Sequence, residues 1–232
     1  YFLTAAGSTL YFVATDGTNG KELWKSDGTS SRTVMVKDIR SGSSSTYMDF
    51  LTAAGSTLYF RADDGTNGYE LWKSNGSTAG TVMVKDIYSG SGSSFPYNLT
   101  AVGSTLYFVA NDGTNGYELW KSDGATSGPT AGTVMVKDIY SGSTSGINVP
   151  YFTAFGSTLY FTANDGTNGY ELWKSDGTTA GTVMVKDIHS GSYNSFPSHL
   201  TAAGSTLYFQ AIDGNSGAEL MCRGTYHVIT YS

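Results

Sequence analysis

The chain has 232 residues, a net charge of −6, 14% aromatic residues and 30 glycines, the make-up of a turn-rich and aromatic-rich protein. Its acidic residues are spread along the chain and no Lys/Arg run occurs, which excludes a nucleic-acid surface, and a single cysteine, Cys222, excludes an intrachain disulfide framework or a Cys-based zinc cluster. Apolar runs such as Leu106-Tyr107-Phe108-Val109-Ala110 fall far short of the ~20 residues that span a bilayer, so membrane insertion is not expected.

Tyr1 lies already inside a repeat, with no Met or signal sequence before it, which predicts a chain processed or excised from something longer. The repeat is announced by the peptide STLYF at Ser8, Ser56, Ser104, Ser157 and Ser205, at spacings of 48, 48, 53 and 48 residues. Within a unit four short segments follow in order, as in Leu99-Thr100-Ala101, Thr105 to Ala110, Tyr117 to Lys121 and Thr133 to Ile139. Tyr, Phe, Trp, Val and Thr crowd these segments and Asp-Gly, Asn-Gly or Ser-Gly pairs separate them, which predicts strands and hairpins. In Leu58-Tyr59-Phe60 and Val82-Met83-Val84 both alternating faces are apolar, so these strands are expected to be covered on both sides. Sheets stacked face to face around a ring supply that cover, and four strands per ~40 to 50 residues suit a propeller blade.

The expectation is therefore all-β: a single five-bladed β-propeller, four antiparallel strands per blade, with repeats at about 1–48, 49–96, 97–149, 150–197 and 198–232. Trp24, Trp72, Trp120 and Trp173 are expected to pack between blades, with Met221 in the last unit. Unit three is lengthened within Ala125 to Thr130. Unit five contracts the same turn to Cys222-Arg223-Gly224-Thr225, before a weakened Tyr226-His227-Val228-Ile229, so the last blade is expected to be the least stable.

The string DGTNGYELWKSDGTTAGTVMVKDI, Asp165 to Ile188, followed by SGS and a Phe-Pro linker, resembles the bacterial repeats recognised by an ELWxSDGTxxGT pattern. The resemblance covers essentially the whole chain. It implies propeller-like blades and the extracellular or cell-surface setting of large secreted bacterial proteins, and it brings no catalytic residues with it.

Two constellations are the candidates for chemistry. The loop Asp16-Gly17-Thr18-Asn19-Gly20-Lys21-Glu22 recurs as Asp64 to Glu70, Asp112 to Glu118 and Asp165 to Glu171. Asp16, Asn19, Glu22, Asp64, Glu70, Asp112, Glu118, Asp165 and Glu171 are the candidates for an oxygen-rich cation site, but two carboxylates and one amide per loop are too few, so a hairpin turn and no metal is the expectation. His189, His199 and His227 lack a third ligand or an orienting carboxylate, and no Gly-x-Ser-x-Gly elbow is present, so neither an enzyme nor a cofactor is expected. The second constellation is a repeated set of aromatics with polar companions: Tyr69, Tyr117 and Tyr170 in the Gly-Tyr-Glu turns, Tyr88 and Tyr140 in the linkers, and Asn67, Asn115 and Asn168. Aromatic rings stack on sugar rings while amides bind hydroxyls, and repetition favours multivalency. The expected function is non-enzymatic binding or adhesion, lectin-like, with a glycan or cell-surface protein as partner at grooves between blades. The alternative is a structural spacer or self-associating unit of a surface protein or filament, with no small ligand.

Overall fold

The computed structural model describes residues 3–126, 132–148, 151–215 and 217–222. The 223–232 segment, with the fourth strand expected in unit five and His227, lies outside them, as does most of the lengthened 125–130 turn. Nineteen strands are described: β1 (Leu3–Ala6), β2 (Thr9–Ala14), β3 (Glu22–Ser26), β4 (Val34–Lys37), β5 (Met48–Ala54), β6 (Thr57–Asp63), β7 (Tyr69–Ser74), β8 (Val82–Lys85), β9 (Tyr97–Val102), β10 (Thr105–Asn111), β11 (Tyr117–Ser122), β12 (Thr133–Lys137), β13 (Thr153–Phe155), β14 (Thr158–Asn164), β15 (Tyr170–Ser175), β16 (Val183–Lys186), β17 (Ser198–Ala203), β18 (Thr206–Ile212) and β19 (Ala218–Cys222). They form five sheets in sequence order, β1–β4, β5–β8, β9–β12, β13–β16 and β17–β19, each strand pairing with the next along the chain. Among the described residues the one helical turn is a 3-10 piece, Ser30–Arg32.

By their contacts the residues group into two units, Tyr1–Gly113 with Lys121–Val134, and Thr114–Trp120 with Met135–Ser232. In the first unit a core forms between the first two sheets, where Tyr11, Leu23, Val36 and Ile39 meet Met48, Leu58, Phe60 and Trp72. In the second, Tyr160, Leu172 and Ile188 meet Leu200, Leu207, Phe209 and Met221, so Met221 takes the buried place that Trp holds elsewhere. In the three middle sheets the second strand is covered on both faces, as Leu58, Tyr59 and Phe60 show, whereas β2 leaves Leu10 exposed. In the fourth strand, β8 buries only Val84, and the first Val of the corresponding strands, Val34, Val134 and Val183, is exposed. Met83 packs half-buried against the core of the first two sheets on the side opposite Val84, so the fourth strand is covered on both sides but less fully than the second.

Lysines join consecutive sheets. Lys25 Nζ donates to Gly76 O at 2.6 Å, and Lys73 Nζ makes the equivalent bond to Gly124 O. One strand later, Lys37 donates to Thr81 O at 2.9 Å and Lys137 to Thr182 O at 2.9 Å, with the ammonium of Lys37 also over the Trp72 ring and that of Lys137 over Trp173. The aliphatic stems lie against apolar surface while the charged ends find carbonyls.

Candidate functional site

Each repeat ends in a linker that must return to the next sheet, and a buried glutamate fixes its course. Glu22, Glu70, Glu118 and Glu171 have no exposed surface. Glu70 accepts from Ile87 N (3.0 Å), Tyr88 N (3.2 Å), Ser94 N (3.1 Å) and Ser94 Oγ (2.6 Å), tying both ends of the linker to β7. Glu22 does the same with Ile39 and Thr46, Glu171 with Ile188 and Ser195, and Glu118 with Ile139 and Gly146. Burial pushes the Glu70 and Glu118 carboxyls up to about 7 against the pull of these donors, and Glu22 and Glu171 are raised for the same reason.

The aspartate of each loop turns elsewhere. Asp16 Oδ1 accepts from Thr18 N and Asn19 N, both at 2.8 Å, and its Oδ2 from Asn19 Nδ2 at 2.7 Å. Asp64 with Asn67, and Asp165 with Asn168, repeat the arrangement. Hydrogen bonds from Asn19 and Thr18 hold the Asp16 carboxyl below its ordinary value. The Asp and Glu of these loops thus face different partners, and among the described residues no group of three or more His, Cys, Asp or Glu side chains gathers. Asn67 and Asn168 donate to their own loop; Asp112 and Asn115 occupy the same loop positions in unit three.

The linker and the following loop meet through planar side chains. Arg40, Tyr88, Tyr140 and His189 each lie across the glycine of the next Asp-Gly turn, so closely that a Cβ on Gly113 would sit 2.7 Å from the Tyr88 ring and one on Gly166 2.7 Å from that of Tyr140. Past the glutamate clamp the linkers present Tyr47, Phe95, Ile147 and Phe196. Phe95 stacks on Tyr69 with ring centroids 5.4 Å apart and planes 23° apart, and Phe196 stacks on Tyr170 at 5.7 Å and 18°. Asn148 Nδ2 donates to the Tyr170 hydroxyl at 2.8 Å, and Tyr47 stands 6.5 Å from Tyr69.

Two platforms result. One, in the first unit, gathers Tyr47, Tyr69 and Phe95, backed by Arg61, whose guanidinium lies 4.7 Å from the Phe50 ring centroid and 5.4 Å from that of Tyr69; Arg40 adjoins it through Asp63, the residue paired with Tyr69 across the hairpin. The other, in the second unit, gathers Asn148, Tyr170 and Phe196, with Tyr140 across Gly166 of the loop that leads into Tyr170. Tyr117 heads the corresponding turn of unit three, but there the linker contributes Ile147, which is fully buried. In unit one Lys21 takes the Tyr place and borders a groove of about 480 Å3 lined also by Val13, Thr15, Thr46, Tyr47 and Met48.

Phe95 and Phe196 are the residues that sequence reasoning missed. They are 40% and 45% exposed and adopt φ of 45° and 46°, a region that is costly for a bulky side chain and is further disfavoured before Pro96 and Pro197. The Ser-Phe-Pro string at fixed distance from the glutamate was the available signal.

No family model and no curated protein matches the sequence. Two solved structures of puromycin hydrolase are similar to it over 92% of this chain and 33% of theirs, at 14% identity, with TM-scores of 0.54 and 0.52. TolB from Acinetobacter baumannii aligns over 93% of this chain and 50% of its own, at 14% identity and a TM-score of 0.47. The chain thus spans about a third to a half of the length of these structures. At such identity the likeness is one of fold, an all-β, propeller-like repeat fold.

Proposed function

We propose that the chain is a non-enzymatic, multivalent saccharide-binding module of an extracellular or cell-surface protein, its five sheets the blades of one five-bladed propeller. The five-fold repeat, the sequence-ordered antiparallel sheets and the propeller-like neighbours support the ring. The observation that carries the binding reading is the pair of exposed phenylalanines at left-handed, pre-proline positions, each stacked flat on a tyrosine. An apolar ring in water on a strained backbone costs stability twice, and such strain collects where a side chain is held for a ligand. Flat rings beside an amide and planar linker residues suit a pyranose, whose apolar face stacks while its hydroxyls take hydrogen bonds. The expected stoichiometry is two, one for each Tyr–Phe pair.

A saccharide array followed by titration of the best ligand tests the reading. Phe196→Gly removes one ring and also relieves the left-handed backbone, so it is expected to abolish one site while leaving the folded protein intact. An array without hits, together with reversible self-association of the chain, overturns the reading in favour of a structural spacer.

A further inference from the structure

We infer that the platform of the first unit is selective for saccharides that carry a carboxylate, with Arg40 as the residue that sets the preference. The inference rests on the saccharide reading and narrows it at one site. The slot across the Asp-Gly turn receives Arg40 in one repeat and Tyr88, Tyr140 and His189 in the next three, so the first platform alone has a permanently charged guanidinium in that slot. Arg40 is loosely held: Nη1 lies 3.4 Å from Asp63 Oδ2, and its side chain is 32% exposed.

Arg61 is held differently. Its Nε donates to Asp49 Oδ1 at 2.7 Å, its Nη2 bonds the other carboxylate oxygen, and three rings, Phe50, Tyr69 and Phe95, face its guanidinium. Arg61 is therefore wall, with its charge matched by Asp49, whereas Arg40 is at the rim. Asp64 is engaged by the amides of its own loop. A guanidinium fork takes a carboxylate through two parallel hydrogen bonds, and Arg40 stands beside the loop that leads into Tyr69, where a stacked sugar ring would project a carboxylate.

Asp63 is the group that such a carboxylate has to displace. It caps its turn by accepting from Gly65 N at 2.7 Å, and Asn111 and Asn164 accept from Gly113 N and Gly166 N at the same distance. The turn needs the oxygen and not the charge. An asparagine at position 63 keeps the fold and releases Arg40.

The test is a calorimetric titration of the whole chain, Arg40→Gln and Asp63→Asn with trigalacturonic acid and with its methyl ester, which has the same ring and no charge. The acid is expected to bind one site about tenfold more tightly than the ester. Arg40→Gln should erase that difference and keep ester binding, and Asp63→Asn should enlarge it. Equal affinities for acid and ester in the unaltered chain, or a preference that survives Arg40→Gln, would show that Arg40 only balances Asp63 and would overturn the inference alone. Failure of both sugars to bind any of the three proteins overturns the inference alone when the array holds other hits, and together with the saccharide reading beneath it when the array is empty.

Discussion

Gly20 and Gly7 both have positive φ, at 67° and 61°, but they differ in what surrounds them. A Cβ on Gly7 meets nothing within 4 Å, whereas one on Gly20 would lie 2.5 Å from the Ser44 carbonyl oxygen, where the linker backbone passes over the loop. Gly7→Ala should cost about 1–2 kcal/mol from the left-handed backbone alone, and Gly20→Ala about 3 kcal/mol or more once the backbone clash is added. Urea unfolding of the two variants checks this, and equal losses would show that the linker is free to move away. The buried glutamates give a second prediction. Glu70 and Glu118 stand at about 7 in the folded chain against an ordinary 4.5, so folding favours their protonated form. That contribution is complete below about pH 4.5 and is lost as pH rises through 7, on the order of 3 kcal/mol for each group. Ser94 Oγ lies within reach of both Glu70 and the Tyr69 carbonyl, so it can accept from a protonated carboxyl and donate its own hydrogen bond to that carbonyl. The melting temperature should therefore fall between pH 5 and pH 8. Glu70→Gln should be less stable throughout, because its amide meets N–H donors, and should show a shallower fall. A melting temperature that climbs over this range would mean that the donors outweigh burial and keep the carboxylates charged.

At the scale of the strand, the lysines that close the third and fourth strands bind one sheet to the next. Lys37→Met keeps the apolar stem and removes both the bond to Thr81 O and the charge over Trp72, so it should cost about 1–2 kcal/mol. A loss no larger than that of an exposed lysine such as Lys21 would show that the contact contributes nothing. The strands themselves were legible because alternation, aromatics and Asp-Gly punctuation all agree, and the described strands fall in the predicted segments. The role of the glutamate in Tyr-Glu-Leu-Trp is not legible in the sequence. In sequence it stands six residues from the loop aspartate, a pair too poor in ligands for a cation, while the donors it meets lie in the linker far along the chain. Its partner lies 24 residues on in three repeats, Thr46, Ser94 and Ser195, and 28 on in the lengthened third, Gly146, a regularity that only a fold makes meaningful. The sequence offers Tyr69, Tyr117 and Tyr170 as a set of equals. Ile147 in place of Phe sets unit three apart, and that difference lies in a linker with no periodic signal.

For the molecule as a whole, repetition supplies the scaffold, and departures from it set one unit apart from the next. Arg40 and Arg61 stand where other units carry Tyr or His and Val, Thr or Gln; Arg61 lies over the Tyr69 ring and Arg40 pairs with Asp63, the strand partner of Tyr69. The last sheet has Met221 where the others have Trp, so amide exchange along β19 is expected to be faster than along β15; the reverse order would show that the final unit is tightly closed. The central claim is that stacked Tyr–Phe pairs, one in each unit, hold saccharide. Calorimetric titration of the best array ligand into the unaltered chain, Phe196→Gly and the double variant Phe95→Gly/Phe196→Gly tests it most directly. The account predicts two equivalents, then one, then none, with all three proteins folded. A single equivalent that persists in the double variant would contradict it and place the binding site away from both pairs.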